Sequence, residues 1–259
     1  MLTTVQYLLG AASGVLVGFV LGLVGGGGSI LAVPLMVYLV GVPSPHVAIG
    51  TSALAVAVNA ATGLANHART GTVKWRCALV FAAAGIAGAL GGSTFGKQFD
   101  GHKLLFLFAI VMVVVGVLML RRRGQAGDGS VRLGRDNAPK LLVFGLGTGA
   151  FSGFFGIGGG FLIVPGLIAA TGMPMINAVG SSLAAVTAFG LTTAANYAWS
   201  GLVDWPLALA FIAGGFVGSF VGTRTAGRLA ETRGRLTTVF AVLIFAVAGY
   251  MLWKSWAAF

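Results

Sequence analysis

Long apolar stretches, separated by short polar segments, recur along the whole chain and most strongly limit what it can fold into. About 20 apolar residues in a helix cross the hydrocarbon core of a bilayer, which is about 30 Å thick. Inside lipid the backbone groups have no water to bind, so such stretches form helices that satisfy their own hydrogen bonds. Only 8% of the 259 residues are charged, against about a quarter in a soluble domain. We therefore predict an all-α polytopic membrane protein embedded in the lipid bilayer.

The formal net charge of +11 has a simple explanation in such a protein. In a soluble protein an excess of Lys and Arg indicates nucleic acid binding, but membrane proteins retain basic residues in their cytoplasmic loops. We therefore expect no nucleic acid partner, and no cofactor. Cys77 is the only cysteine, which excludes a disulfide within the chain.

The sequence contains an internal duplication. Three blocks, which include polar loop residues as well as apolar ones, recur at an offset of 130 to 131 residues. The matching blocks are 25–34 with 156–165, 48–52 with 178–182, and 66–75 with 196–205. Chance similarity between apolar helices would not keep one register through the loops. We predict a first transmembrane repeat at 1–121, a cytoplasmic linker at 122–139 and a second transmembrane repeat at 140–259.

Each repeat contains five apolar segments, of which the second is too short to span the bilayer. The short segments reach only about 18 Å at 1.5 Å per residue, and each follows a glycine cluster and contains a proline. We predict that the first two segments of each repeat form a broken or hairpin-like pair with the glycine cluster near the membrane interior. Whether the short segments span or are re-entrant stays open. The segments are 5–24, 29–41, 46–67, 76–96, 103–120, 140–156, 160–171, 176–199, 205–223 and 236–253.

An odd number of segments gives the two repeats inverted topology, and the same holds if the first pair is re-entrant. Alternate loops then place most of the 16 basic residues, including those of the linker, on one side, and only Lys97, Lys103 and Lys254 on the other. By the positive-inside rule the basic side is cytoplasmic. This places both termini outside the cytoplasm. Inverted repeats are typical of secondary transporters, whose substrate site lies near the midplane.

The predicted segments contain no acidic residue, and the three histidines lack the spacing of metal ligands. This argues against a relay of paired carboxylates, a metal site or a Ser-His-Asp triad inside the membrane. A membrane-embedded enzyme would have to rely on Cys77, Ser52 or His67, so we expect no enzymatic activity. A channel-like anion pore with the same polar lining remains the main alternative to a transporter.

Two glycine clusters, 25–29 and 156–160, each precede a short apolar helix. Free N–H groups at a helix start, together with the helix dipole, bind an anion without a formal charge, and glycine lets a ligand approach the backbone closely. The simpler interpretation is that these glycines only permit a sharp turn or a close helix contact. Because the cluster occurs in both repeats, inversion could bring the two together, which favours an anion site between them.

The third segment of each repeat adds hydroxyl and amide groups that suit an oxyanion. Thr62 and Asn66 are four residues apart, and their counterparts repeat the spacing, so each pair shares one helix face. Hydrogen bonds between helices are the alternative role for these groups. The candidate substrate-binding residues are Gly27, Gly28, Ser29, Thr51, Ser52, Thr62, Asn66, Gly158, Gly159, Gly160, Ser181, Ser182, Thr192 and Asn196.

Three polar residues in or just after the third segment have counterparts of a different chemical type in the second repeat. Asn59 has Phe189 as its counterpart, so its amide makes either a specific contact or a structural one. His67, with Tyr197 as its counterpart, is the only group near the expected path whose ordinary pKa is close to neutral. We consider His67 and Arg69 for gating or proton coupling, although Arg69 also fits a positive-inside anchor.

A helix that runs into a glycine cluster, followed by an apolar run with a proline, occurs twice, with Gly-Thr-Ser at 50–52 and Asn-His/Tyr-Ala at 66–68 and 196–198. This pattern resembles the sulfite exporter TauE/SafE family of permeases over nearly the whole chain except the linker. The resemblance implies a transporter of a small sulfur-containing anion such as sulfite, sulfoacetate or another organosulfonate. The resemblance implies that residues 27–29 and 158–160 are the positions of the family's glycine motif. Ile157 stands where the first cluster has Gly26, so the two clusters are not equivalent.

The resulting expectation is an exporter of a small oxyanion that works by alternating access around a midplane site. Export down the membrane potential, negative inside, suffices to drive an anion. A homo-oligomer is compatible with the sequence, which leaves the oligomeric state open.

Overall fold

The computed structural model describes residues 2–121, 131–156, 160–230 and 235–256. All regular secondary structure in these ranges is helical, and six helical stretches in them are long and apolar enough to cross a membrane. This confirms the predicted all-α membrane class. The elements are α1 (Thr4–Val24), a 3₁₀ helix (Gly25–Leu31), α2 (Ala32–Pro34), a π-helix (Leu35–Leu39), α3 (Pro45–Arg69), α4 (Trp75–Gly96), α5 (Gly101–Arg121), α6 (Ala138–Phe155), α7 (Gly160–Thr171), α8 (Met175–Trp199), α9 (Trp205–Ala230) and α10 (Arg235–Trp256).

The helices follow the predicted segments closely, with two differences. The first short segment, expected as one stretch over 29–41, begins at Gly25 and combines a 3₁₀ helix, one α-helical turn and a π-helix. Consecutive glycines have a high entropic cost in an α-helix, which explains why the regular form is lost there. The other difference is α9, which continues to Ala230 instead of 223, because the added residues include good helix formers such as Arg, Ala and Leu.

Two of the five acidic residues cap the starts of helices. Asp100 Oδ1 accepts from the N–H of Lys103 at 3.0 Å, at the start of α5. Asp204 Oδ1 accepts from the N–H of Leu207 at 3.0 Å, at the start of α9. A carboxylate at this position satisfies a free N–H group and complements the helix dipole.

α1 and the segment that follows it form a hairpin. The chain turns at Gly25, whose φ is +66°, and Gly28 then packs against the backbone of Leu21. At the open end of the hairpin, Gln6 Nε2 donates to Val40 O at 2.9 Å. The chain therefore returns to the level at which α1 begins.

α6 and α7 form the equivalent hairpin in the second half. Gly156 has a φ of +64°. Past the turn, Gly166 lies beside Thr148, with 3.3 Å between its Cβ position and Thr148 Cγ2. Both short segments thus turn back along the preceding helix, as expected of a hairpin-like pair.

Glycine faces attach each hairpin to a helix of the other half. α1 runs parallel to α9, with Gly18 against Gly215 and Gly22 against Ser219. α6 runs alongside α4 in the same manner, through contacts such as that of Gly149. A Cβ at Gly18 or Gly149 would overlap the backbone of the partner helix, so these glycines serve close helix packing.

α3 and α8, the third segments of the two halves, lie against each other in opposite directions. Gly50, near the start of α3, contacts Tyr197, near the end of α8. Gly63, near the end of α3, contacts Leu183, near the start of α8. The third segments are therefore antiparallel, and each hairpin packs on the fourth segment of the other half. This is the pattern expected of an inverted duplication.

Candidate anion site

The two glycine clusters meet in the fold. Gly26 and Gly160 touch through their backbones, so that a Cβ on Gly26 would lie 2.7 Å from Gly160 Cα and 2.6 Å from Val186 Cγ2. Residues 25–31, which include the candidates Gly27 and Gly28, are all buried. The proximity that the duplication suggested is therefore present. The candidates Gly158 and Gly159 lie outside the described residues.

Two serine hydroxyls bind the N–H groups at this meeting point. Ser29 Oγ donates to Gly26 O at 2.8 Å and accepts from the N–H of Gly160 at 3.2 Å. Ser182 Oγ donates to Val179 O at 2.8 Å and accepts from the N–H of Gly26 at 2.9 Å. Both serines are fully buried. The N–H groups expected to face an anion therefore have a neutral oxygen as their acceptor in this conformation.

The local sequence explains why these N–H groups are available. α7 begins at Gly160, and the first N–H groups of a helix have no partner within it. Gly25 adopts a positive φ, and a side chain there would also meet Val179 O and Ser182 Oγ. Only glycine is compatible with this turn and with the contact to α8.

Thr51 and Ser181 each form a hydrogen bond with a loop of the other half. Thr51 Oγ1 accepts from the N–H of Asp204 at 2.9 Å. In the matching contact, Ser181 Oγ accepts from the N–H of Lys74 at 2.8 Å. Ser52 Oγ donates to a carbonyl of its own helix at 3.0 Å. In this conformation these hydroxyls make structural hydrogen bonds, the alternative role considered for them.

The other polar candidates lie away from the meeting point. Thr62 and Thr192 are half-buried and donate to carbonyls of their own helices at 3.2 and 2.8 Å. Asn196 comes 14 residues after Ser182, which places it about 21 Å further along α8. Asn66 holds the matching position on α3. The predicted set therefore separates into a central group and a group near the far helix ends.

Lys97 is a functional candidate that the sequence analysis used only to set topology. Its Nζ donates to O and Oδ1 of Asn196, at 3.2 and 2.8 Å, and to Ser200 Oγ at 2.9 Å. These acceptors lie at the C-terminal end of α8, where a cation is favourable. Asn196 Nδ2 in turn donates to Ser93 Oγ at 2.6 Å and to Thr94 Oγ1 at 3.0 Å.

His67 is buried against α1, whereas Arg69 is exposed. The His67 side chain is 2% exposed. Its Nε2 lies 3.1 Å from Gly22 O and its Nδ1 lies 2.9 Å from Thr72 Oγ1. The counterpart Tyr197 is equally buried, and its hydroxyl has no hydrogen-bond partner among the described residues.

Ser52, His67 and Cys77, the three side chains considered for an enzymatic role, are all buried. Ser52 bonds to its own helix, His67 to Thr72 and Gly22, and Cys77 is buried on α4 as a free thiol. Within the part of the chain that the structure describes, no three His, Cys, Asp or Glu residues lie close enough to hold a metal ion.

Comparison with known proteins agrees with the resemblance found in the sequence. Residues 10–251 match the family described as "Sulfite exporter TauE/SafE". A probable membrane transporter protein of Xylella fastidiosa (strain Temecula1) is 52% identical over 98% of both chains. The probable membrane transporter protein YunE of Bacillus subtilis is 28% identical over 81% of this chain and 84% of its own. Another from Methanocaldococcus jannaschii is 26% identical over 66% of each chain. The chain therefore belongs to the TauE/SafE sulfite exporter family of multi-pass membrane transporters.

Proposed function

We propose that this transporter exports a small sulfur-containing oxyanion, such as sulfite or an organosulfonate, across the bacterial inner membrane. The observation that carries the proposal is the meeting of Gly26 and Gly160, whose N–H groups both bind serine oxygens. An oxyanion offers the same type of acceptor with a negative charge, and hydrogen bonds to charged acceptors are the stronger ones. Membership of the family supports the choice of a sulfur anion.

In the proposed bound state, oxygens of the anion replace the serine oxygens. The N–H groups of Gly26 and Gly160 donate to the anion, and the hydroxyls of Ser29 and Ser182 rotate to donate as well. Neutral donors thus surround the charge, and no basic side chain holds the anion too tightly for release.

Binding requires the two clusters to separate, because the backbones of Gly26 and Gly160 leave no space between them. In the proposed cycle the two hairpins move apart toward one side of the membrane and then toward the other. Inverted repeats suit this cycle, since exchanging the conformations of the two halves converts an inward-open state into an outward-open one. The direct contact argues against a permanently open anion pore.

The proposed orientation places the basic loops in the cytoplasm and both termini outside. A membrane potential that is negative inside then drives an anion outward with about 2.3 kcal/mol per charge per 100 mV. Export down this gradient needs no coupling ion.

A binding screen of the purified protein tests the substrate class. A ligand that binds the folded state raises its melting temperature. Sulfite, sulfoacetate, taurine, thiosulfate, sulfate and chloride are compared at two pH values. We expect selective stabilisation by a sulfur oxyanion, and stabilisation by none of these would contradict the proposed class.

Two serine variants test the site itself. Ser29→Ala and Ser182→Ala each remove one proposed donor, and losing a hydrogen bond to a charged group weakens affinity by about 10- to 100-fold. Thr187→Val is the control, because it removes a hydroxyl that bonds only its own helix and belongs to no candidate set. Unchanged affinity in both serine variants would show that the anion binds elsewhere.

A further inference from the structure

The two halves differ at the junction where α3 packs against α1 and α9. Three positions there carry polar residues, whereas their counterparts 130 residues away carry an aromatic or aliphatic side chain. Both members of every pair are buried, so the difference does not reflect variation at the surface. The pairs are Asn59 with Phe189, Ser219 with Ala89, and His67 with Tyr197.

The three polar residues follow one another along this junction. Asn59 packs against Gly215, and Ser219 lies one turn further along the same helix, α9. Gly22 of α1 packs against Ser219, and its carbonyl lies 3.1 Å from His67 Nε2. From Asn59 to His67 the series covers eight residues of α3, a length of about 12 Å.

Two of these side chains have no protein partner. Asn59 and Ser219 are fully buried, and neither the Oδ1 and Nδ2 atoms of Asn59 nor Ser219 Oγ forms a hydrogen bond with any described residue. Buried polar groups in native proteins are hydrogen-bonded, to ordered water where no protein group serves. Phe189 occupies the matching place in the other half with hydrocarbon. Ordered water can supply the partner that Asn59 and Ser219 lack among the described residues.

His67 is hydrogen-bonded in both of its protonation states. Nε2 carries a hydrogen, because Gly22 O can only accept. In the neutral ring, Nδ1 accepts from the Thr72 hydroxyl, 2.9 Å away. When a proton from water binds Nδ1, that nitrogen donates to Thr72 Oγ1, and the hydroxyl hydrogen turns to His67 O, 3.0 Å from it. The side chain thus takes up and releases a proton without losing a partner.

Among the described residues, the charged side chains on α1, α3, α8 and α9 and in the loop after α3 are all cationic. No carboxylate in the described part of the chain forms an ion pair with His67, and Arg224 stacks on Phe220, with 3.9 Å to the ring centroid. A protonated His67 would therefore favour a nearby anion. The ionisable residues on the elements packed against α3 around His67, and on α3 itself, are His46 and Arg69 on α3, Lys74 in the following loop, Tyr7 on α1, Tyr197 on α8, and Arg224 and Arg228 on α9.

We propose that Asn59, Ser219 and His67 line a narrow water-filled path that admits protons from the Thr72 end of α3 to the level of the glycine clusters, and that protonation of His67 strengthens anion binding. The proposed path depends only on the residues of the junction. Its effect on anion binding also rests on the proposed function. Coupling between the two sites is reciprocal: a bound anion favours the proton as much as the proton favours the anion.

Silver ions, which react with thiols and are small enough to follow water, test the path without any transport assay. Ser219→Cys is compared with Ala89→Cys, its counterpart in the other half, both in a Cys77→Ala background. We expect the Ser219→Cys thiol to react at least about tenfold faster, since access to water controls thiolate reactivity, and from the Thr72 side only. Equally slow reaction of two folded variants, with matching melting temperatures, would overturn the path.

The effect on the anion is tested with sulfoacetate, whose charge is constant between pH 5.5 and 8. Two unit charges on the order of 10 Å apart in an effective dielectric of about 20 attract strongly enough for a tenfold change in Kd, so we expect protonation of His67 to tighten Kd about tenfold. His67→Gln and His67→Tyr should remove this pH step, and Tyr197→Phe should retain it. A step that persists without His67 would overturn the coupling. Absence of sulfoacetate binding at every pH would instead count against the proposed function and leave the silver result standing.

Discussion

At the scale of single residues, the central site is built from the smallest side chains. Gly26 and Gly160 approach each other because neither has a Cβ, and the absence of side chains leaves their N–H groups open to an acceptor. Ser29 and Ser182 then satisfy those groups with a hydroxyl that both donates and accepts. A site made in this way binds charge through dipoles alone, which suits a ligand that must be released.

Two glycines on α6, two residues apart, test how much close packing contributes to stability. A Cβ on Gly149 would lie 2.6 Å from Gly85 Cα, whereas a Cβ on Gly147 would meet nothing within 4 Å. Overpacking should make Gly149→Ala about 1–3 kcal/mol less stable. Gly147→Ala should match or slightly exceed the parent, because alanine favours helix. Thermal melting in detergent measures both, and equal melting temperatures would contradict this account.

At the scale of elements, each half packs against the other and forms hydrogen bonds with it. Each hairpin packs on a helix of the other half. The third segment of each half also accepts a hydrogen bond from a loop of the other half. Thr51 accepts from the N–H of Asp204, and Ser181 accepts from the N–H of Lys74. The hydroxyls of Thr51 and Ser181 therefore act as joints between the halves, although their chemistry alone suited a ligand equally well.

Thr51→Val tests one of these joints. The substitution keeps the branched shape but leaves the N–H of Asp204 without its acceptor, which should cost about 1–3 kcal/mol of stability. Thr187→Val is the matched control, because the Thr187 hydroxyl bonds only its own helix, at 2.8 Å from Leu183 O. We expect the melting temperature to fall for Thr51→Val and to stay nearly constant for Thr187→Val. Equal shifts would mean that the joint contributes nothing specific.

At the scale of the whole molecule, orientation in the membrane decides the direction of transport. The loops rich in Lys and Arg connect α3 to α4 and the first half to the second, whereas Lys97 and Lys103 lie near the loop between α4 and α5. The positive-inside rule assigns these two groups of loops to opposite sides. With the basic loops inside, an anion leaving the cytoplasm moves with the membrane potential.

Cysteine labelling tests this orientation. Arg135, in the linker, and Gln98, between α4 and α5, are both exposed, and the native Cys77 is buried and contributes little background. A membrane-impermeant thiol reagent should label Arg135→Cys only from the cytoplasmic side and Gln98→Cys only from outside. Labelling of both from one side would disprove the inverted topology, and labelling from reversed sides would invert the proposed direction.

Of the candidate residues, Ser29 and Ser182 lie at the meeting point of the glycine clusters, whereas the peripheral polar residues do not, for a physical reason. Ser29 adjoins a glycine cluster, and Ser182 holds a matching place in the repeated block, so local pattern identified both. Lys97 was missed because its role depends on Asn196, 99 residues away. Ser219 was missed because its hydroxyl matters only where α9 lies against α1 and α3.

The class of the protein, the bounds of most helices and the duplication all follow from the sequence alone. They depend on apolar length and on a repeated register, which neighbouring residues along the chain determine. The direct backbone contact of Gly26 with Gly160 was decided only by the tertiary structure. So was the hydrogen bond from Gly160 to Ser29, which joins residues 131 positions apart. Such contacts depend on how two separately formed halves pack against each other, and no local pattern encodes that packing.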